Sequence, residues 1–370
     1  MSRSPRRDLA VLVAGFLAAL ALRLAFLAAP NDRYDLGSFR IVAGILDRGG
    51  DVYRETTRYN YSPVWAGVLW VLAGASKSVG ISLDRAVTGL LLAGDAATAL
   101  LLARIALGRG EPRMRAAFAA LLFFANPVSV LTSSRLAMFD NLSVLFLLLA
   151  VRAMEAVPPR RAGAVAGMTA SLLIKHVTWF HPLLLPRRRE PRVGLPGALA
   201  PYALFLASFL PFWRSWDRIR SQVFGYQSMG EPYGTEPLRF LPGFPTWGTA
   251  AICVAAALAA AGWLWYREVE FGRASLLLFL VVLLLAPGIA VYYFVWPIAL
   301  GALYPSAGYA VYTVIASLFL IHSPDALSVE LPHLPGWSGP WWALLFWLLW
   351  EIRRLSGAGR APAAAPRPRG

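Results

Sequence analysis

Leu9–Ala29 reads LAVLVAGFLAALALRLAFLAA, an apolar run broken only by Arg23. A helix needs roughly 20 such residues to cross hydrocarbon. Arg3, Arg6 and Arg7 precede the run and Leu27-Ala28-Ala29 loosely mimics a cleavage site, so a secretory signal competes with a membrane helix. The run outlasts a signal core and more apolar runs follow, so it reads as a first span.

Those further runs are Ala86–Leu107, Ala250–Tyr266, Ala274–Ala286 and Trp341–Ile352. Hydrophobic residues make up 58 % of the 370-residue chain and mean hydropathy is +0.55, too apolar for an ordinary soluble domain. The expected fold class is all-α, a polytopic transmembrane bundle of about ten to twelve spans. Cys253 is the only cysteine, which excludes an intrachain disulfide or a thiolate metal site. The net charge of +15 does not point to nucleic acid, because the arginines fall in short clusters between apolar runs.

Those clusters set a topology. Arg109/Arg113/Arg115, Arg160/Arg161, Arg187/Arg188/Arg189/Arg192, Arg267/Arg273 and Arg353/Arg354 are expected with the N-terminus on the cytoplasmic side. An even number of crossings must then separate the N-terminus from Arg109, and Pro63–Ile81, interrupted by Gly67, Gly74 and Lys77, is assigned to the outer surface as an interfacial helix. Residues 30–83 become a first outer loop and 213–245 a second. Ala116–Leu131 goes out, Asn141–Val157 returns, and Ala162–Ile174 with Val177–Leu185 form a helical pair tipped by Lys175-His176. Residues 1–356 are one domain, and 357–370 read as a disordered cytoplasmic tail.

The first loop holds the densest polar segment, APNDRYDLGSFRIVAGILDRGGDVYRETTRYNYSPVW from Ala29 to Trp65. The arginine-derived topology brings Asp35, Tyr61, Arg135, Asp140, Lys175, His176 and Tyr293 to the outer side together. Arg135, Lys175, His176 and Arg58 suit an anionic phosphate. Asp35 or Asp32 is placed to take a proton from a hydroxyl. Tyr59, Tyr61, Tyr292, Tyr293 and Trp296 offer faces to a sugar ring, and Asp140, Glu231 and Glu236 offer acceptor contacts. Plainer readings stand beside these. Asp35 precedes the helical spacing Leu36, Phe39, Val42, Leu46 and also reads as the N-cap of a surface helix. Arg135 and Lys175 also read as snorkelling residues at an interface, and Tyr292, Tyr293 and Trp296 as an aromatic belt. His176 and His181 lack a partner at metal-site spacing. Asp95, in mid-helix, reads as the buried partner of Arg23.

In this order, DLGSF (Asp35–Phe39), VYRETTRYNYSPVW (Val52–Trp65), NPVSVLTSSRLAMFDN (Asn126–Asn141), IKHVTWFHPLLLP (Ile174–Pro186) and YYFVWPIAL (Tyr292–Leu300) resemble the GT-C superfamily of membrane glycosyltransferases. The likeness is nearest to the group that includes the catalytic subunit of GPI mannosyltransferase I and its prokaryotic polyprenol-phosphate-mannose-dependent relatives. It covers about Leu9–Leu300, and the order of motifs carries it more than any one of them. The resemblance implies a helical bundle with the first extracytoplasmic loop over the active site, a polyprenyl-phosphate sugar donor and inversion at the anomeric carbon. Aligning the second acid of the family's Asp-x-Asp on Asp35 puts Arg33 at the first, so a metal-independent mechanism is expected, with no cofactor.

The expected function is transfer of a hexose, most simply mannose, from a polyprenyl (dolichyl-type) phosphate to a lipid or glycan hydroxyl. The expected partners are thus a lipid-linked donor, its acceptor and the membrane, with no nucleic acid. Two alternatives stay open: a polytopic transporter, and a non-catalytic scaffold subunit of a glycan-assembly complex.

Overall fold

The computed structural model describes residues 5–28, 34–186, 193–226, 234–245, 247–323, 326–327, 329 and 338–358. The first half of the chain forms α1 (Pro5–Ala28), α2 (Tyr34–Asp47), α3 (Val52–Glu55), α4 (Pro63–Val79), α5 (Leu83–Gly108), α6 (Arg113–Phe124), α7 (Pro127–Ser129), α8 (Asp140–Glu155) and α9 (Arg161–Ile174). The second half forms α10 (Leu195–Ala207), α11 (Trp216–Ile219), α12 (Gly248–Tyr266), α13 (Phe271–Leu285), α14 (Ile298–Leu303), α15 (Ala307–His322) and α16 (Ser338–Ala358). Short 3-10 and π turns join them, and no strand occurs among the described residues.

Three helices, α1, α5 and α12, are by themselves long and apolar enough to cross a membrane. Two bent pairs raise the count to five: α6 with the segment Pro127–Arg135, bent by 44°, and α10 with Leu210–Phe224, bent by 57°. The all-α class and its compatibility with a bilayer therefore hold, while ten to twelve crossings exceed this count. The first bend falls at Asn126-Pro127, where proline has no N–H to give the preceding turn. Asn126 restarts the chain as an N-cap, its Oδ1 accepting from the Val128 N–H at 3.0 Å. Its amide also donates to the Tyr309 hydroxyl at 3.0 Å, which ties the bend to α15.

One expected element is absent. Val177–Leu185 is not a helix but two 3-10 turns, His176–Thr178 and His181–Leu184. Pro182 cannot donate within a helix, and Lys175 leaves α9 in an extended conformation, so the chain doubles back without forming a second helix. The tail beyond Ala358 lies outside the described residues, as does the Arg187–Arg192 cluster.

Arg23 and Asp95 do pair, and both are fully buried. Arg23 also donates to the Phe124 carbonyl at 3.0 Å and to Ser133 and Ser129, each at 2.9 Å. The second oxygen of Asp95 accepts from the Asn141 amide at 2.8 Å. Removing either charge strands the other in an apolar medium, so this knot fixes α1, α5, the π turn Val130–Arg135 and the start of α8 relative to one another.

From Tyr34 onward the first loop belongs to the same packing. Leu36, Phe39, Val42 and Ile45 form the buried face of α2. Asp51 caps α3 through the Tyr53 N–H at 2.9 Å, while its other oxygen accepts from Ser215 at 2.6 Å. That contact ties α3 to the turn before α11. Ser62 caps α4, which runs unbroken through Gly67 and Gly74 to a left-handed Gly80. In the second loop, Thr235 donates to the Leu285 carbonyl at 2.9 Å. Gly234, at φ +58, stands where a Cβ would meet the Ala286 carbonyl at 2.3 Å, so only glycine fits.

Candidate functional site

The helical hairpin α8–α9 builds the centre of the site. Its two helices approach closely at Gly167, where a Cβ would lie 2.8 Å from the Ala150 backbone nitrogen and 2.9 Å from the Phe146 carbonyl. Asp140 opens α8 and Lys175 follows the last residue of α9, so antiparallel packing brings them to one end. Lys175 Nζ donates to Asp140 Oδ2 at 2.6 Å, with the two side chains 4 % and 0 % exposed. Trp296 Nε1 donates to the other oxygen of Asp140 at 2.7 Å.

Four rings enclose the ammonium group. Lys175 Nζ lies 4.8 Å from the Tyr292 centroid, 4.9 Å from Phe139, 5.3 Å from Tyr61 and 5.6 Å from Tyr293. Each face so placed is worth about 0.5–2 kcal/mol to a cation, which offsets part of the cost of burying it. The rings hold one another as well: Tyr61 meets Phe139 edge-on at 4.8 Å, and Phe139 stacks on Trp65 at 4.0 Å. Ala137, at φ +58, supplies the left-handed step that turns the chain from the π turn into Met138, Phe139 and Asp140. A non-glycine residue there stores roughly 1–2 kcal/mol of strain, spent on aiming those side chains.

Asp35 joins this group from α2. It sits in the first turn, one residue inside the helix, where a carboxylate also meets the positive end of the helix dipole. Its charge is felt at Tyr61, Tyr226, Tyr292 and Tyr293, which places it beside the cage. Burial first, then Asp35, hold the Tyr61 phenol well above its ordinary pKa, so Tyr61 is a neutral donor. Tyr226 is raised for the same leading reason and hydrogen-bonds Tyr292 and Asn60.

Other expected site residues stand elsewhere or have other work. Asp32 and Glu231 lie outside the described residues. Arg58 is spent on the first turn of α2, donating to Ser38 Oγ at 3.0 Å and to the Tyr34 carbonyl at 2.5 Å while its guanidinium lies 3.8 Å from the Tyr34 ring. It shapes the turn that carries Asp35. Tyr59 is buried, donates to the Ser62 carbonyl and packs edge-on against Tyr61, behind the cage wall. Arg135 donates to the Ala326 carbonyl at 3.0 Å, and its contact among the described residues is there, not on Lys175 or Asp140. Glu236 pairs with Arg239 at 2.6 Å within one 3-10 turn.

His176 is no cation. Burial, reinforced by the Lys175 charge, pushes its pKa down to about 4, and its Nδ1 is buried without a partner among the described residues. Phe139 and Tyr226 belong to the site without having been assigned to it from sequence. Trp296 was read as a sugar platform or belt residue, and its N–H on Asp140 is visible only in three dimensions. No group of three or more metal-ligating side chains occurs among the described residues.

No protein-family model, curated protein or solved structure matches this chain.

Proposed function

We propose that the chain transfers a hexose, most simply mannose, from a polyprenyl phosphate to an acceptor hydroxyl at the outer membrane surface. The observation that carries this reading is the convergence of a carboxylate, Asp35, and a buried lysine, Lys175, on one tyrosine-lined end of the bundle. Asp35 accepts the proton of the acceptor hydroxyl, whose oxygen forms a bond to the anomeric carbon. The bond from that carbon to the phosphate oxygen breaks, and its electron pair leaves with the polyprenyl phosphate. Lys175 gives one N–H to Asp140 and has two more for the departing oxygens. Tyr61, Tyr292 and Tyr293 present ring faces and neutral hydroxyls to the sugar.

In this reading Asp140 and Trp296 position Lys175, Arg58 positions Asp35, and Arg135, Glu236 and a charged His176 have no role. The arginine-bearing ends of the helices face the cytoplasm and the cage faces outward. The shorter apolar helices Arg161–Ile174, Phe271–Leu285 and Ala307–His322, with α8, α16 and the adjoining turns, bring the crossings to about ten.

Transport is the rival from another class. Its strongest support, the intramembrane Arg23–Asp95 pair, is saturated by Ser129, Ser133, Asn141 and the Phe124 carbonyl, an arrangement that suits a fixed joint. The test is incubation of the purified chain with a panel of radiolabelled polyprenyl-phosphate sugars and a membrane extract. Label moving to a new lipid or glycan supports transfer. No movement from any donor, with solute uptake by vesicles holding the chain alone, overturns it.

A further inference from the structure

We infer that the arginine-bearing end of the α8–α9 hairpin binds one anionic membrane phospholipid in a groove separate from the caged lysine. The inference goes beyond glycosyl transfer and rests only on the chain lying in a bilayer. The groove is a cavity of about 850 Å³ with α8 as its floor and α5 and α9 as its walls. Pockets of about 300–1,000 Å³ take amphipathic ligands of moderate size.

Its two ends differ in chemistry. Arg104 from α5, Arg152 from α8 and Arg160 before α9 stand at the mouth, all exposed. None of the three has a carboxylate partner among the described residues. Glu155 is the only carboxylate among the described residues lining the groove, and Arg109 takes both its oxygens, at 2.9 and 2.7 Å. The mouth therefore keeps three uncompensated positive charges. Beyond the mouth, Phe146, Leu149, Ala166 and Ala170 give an apolar lining, of which Leu149 and Ala166 are exposed.

Cations at the rim and hydrocarbon beneath match a phospholipid with an anionic headgroup and an acyl chain, placed where arginine clusters meet the leaflet. The caged lysine is not this site. Lys175 and Arg160 lie at opposite ends of the 14-residue α9, roughly 20 Å apart at 1.5 Å per residue. A lipid seated here braces the hairpin whose far end holds Asp140 and Lys175.

Native mass spectrometry of the full chain in detergent micelles tests this with phosphatidylglycerol, phosphatidylcholine and inorganic phosphate as separate probes. One phosphatidylglycerol is expected to stay bound while phosphatidylcholine and phosphate do not. The variant Arg104→Gln/Arg152→Gln/Arg160→Gln is expected to weaken phosphatidylglycerol binding about 100-fold, each arginine near the surface contributing several-fold. Arg113→Gln/Arg115→Gln/Arg267→Gln removes the same charge away from the groove and is expected to retain the lipid. Ala166→Phe keeps every charge but fills the apolar part, and is expected to lose the lipid while melting like the parent. Equal loss in the control triple variant, retention by Ala166→Phe, or equal binding of phosphatidylcholine or of phosphate alone would overturn the inference.

Discussion

At the scale of single residues, the ledger around Lys175 decides most of the behaviour of the site. An ammonium and a carboxylate buried together are tolerated because each has the other plus further partners, Trp296 for Asp140 and four rings for Lys175. Lys175→Met leaves the Asp140 carboxylate buried and alone, and a loss of about 3–5 kcal/mol is expected. Asp140→Asn costs less, since it keeps the shape and the Trp296 hydrogen bond. Thermal unfolding in detergent checks both, and an unchanged midpoint for Lys175→Met contradicts the buried pair. His176 adds a pH term. Its folded pKa of about 4 lies below the unfolded value near 6.5, so the folded state disfavours the proton. The stability contributed by neutral His176 is whole above about pH 6.5 and is lost as the pH falls from there towards 4. His176→Gln is expected to lessen the fall of the melting midpoint across that window and to leave turnover at pH 7 near the parent level. A parent and a variant with the same acid profile contradict it.

At the scale of elements, the α8–α9 hairpin is the part on which the site most depends. Gly167→Ala pushes a methyl into the backbone of α8 rather than into a yielding side chain, and a cost of about 1–3 kcal/mol is expected. Because the same packing sets Asp140 against Lys175, sugar transfer is expected to fall with stability, read as a lower melting midpoint and lower turnover together. Unchanged values for both would remove the hairpin from the account. Much of this element was legible: the apolar run before Lys175 and the arginines at its other end mark a helix that ends in a lysine. The α2 face was legible from the spacing of Leu36, Phe39 and Val42. Three features were not. Arg135 was placed in the outer cluster by the arginine-derived topology alone, yet Val130–Arg135 is a π turn, and an i→i+5 ladder changes the angle at which each side chain leaves the axis. Val177–Leu185 was read as a helix from its apolar content, whereas Pro182 and the extended Lys175 yield two 3-10 turns. Tyr226 stands far from the first loop in sequence, and nothing local signals that it faces Asp35.

At the scale of the molecule, the account requires two chemically distinct ends. Acids, tyrosines and one caged lysine occupy one end of the hairpin, and Arg104, Arg152 and Arg160, without a carboxylate partner among the described residues, occupy the other. The lone cysteine, Cys253, is buried, so single-cysteine variants in a Cys253→Ser background report on sidedness. Tyr34, 70 % exposed beside Asp35, and Val157, 98 % exposed beside the arginine end, are the informative positions. A membrane-impermeant maleimide added to intact cells is expected to label Tyr34→Cys and to reach Val157→Cys only after permeabilisation. Labelling of both from one side contradicts the topology on which the outward-facing site depends.

The most direct measurement concerns Asp35. Asparagine in its place keeps size and polarity but cannot take a proton, so the purified Asp35→Asn chain is compared with the parent for binding of a radiolabelled polyprenyl-phosphate sugar and for a single round of transfer. The account predicts donor binding within a few-fold of the parent and transfer slowed by about 10²–10⁴-fold, the range for loss of a general base. Transfer at the parental rate, with donor binding intact, would contradict it.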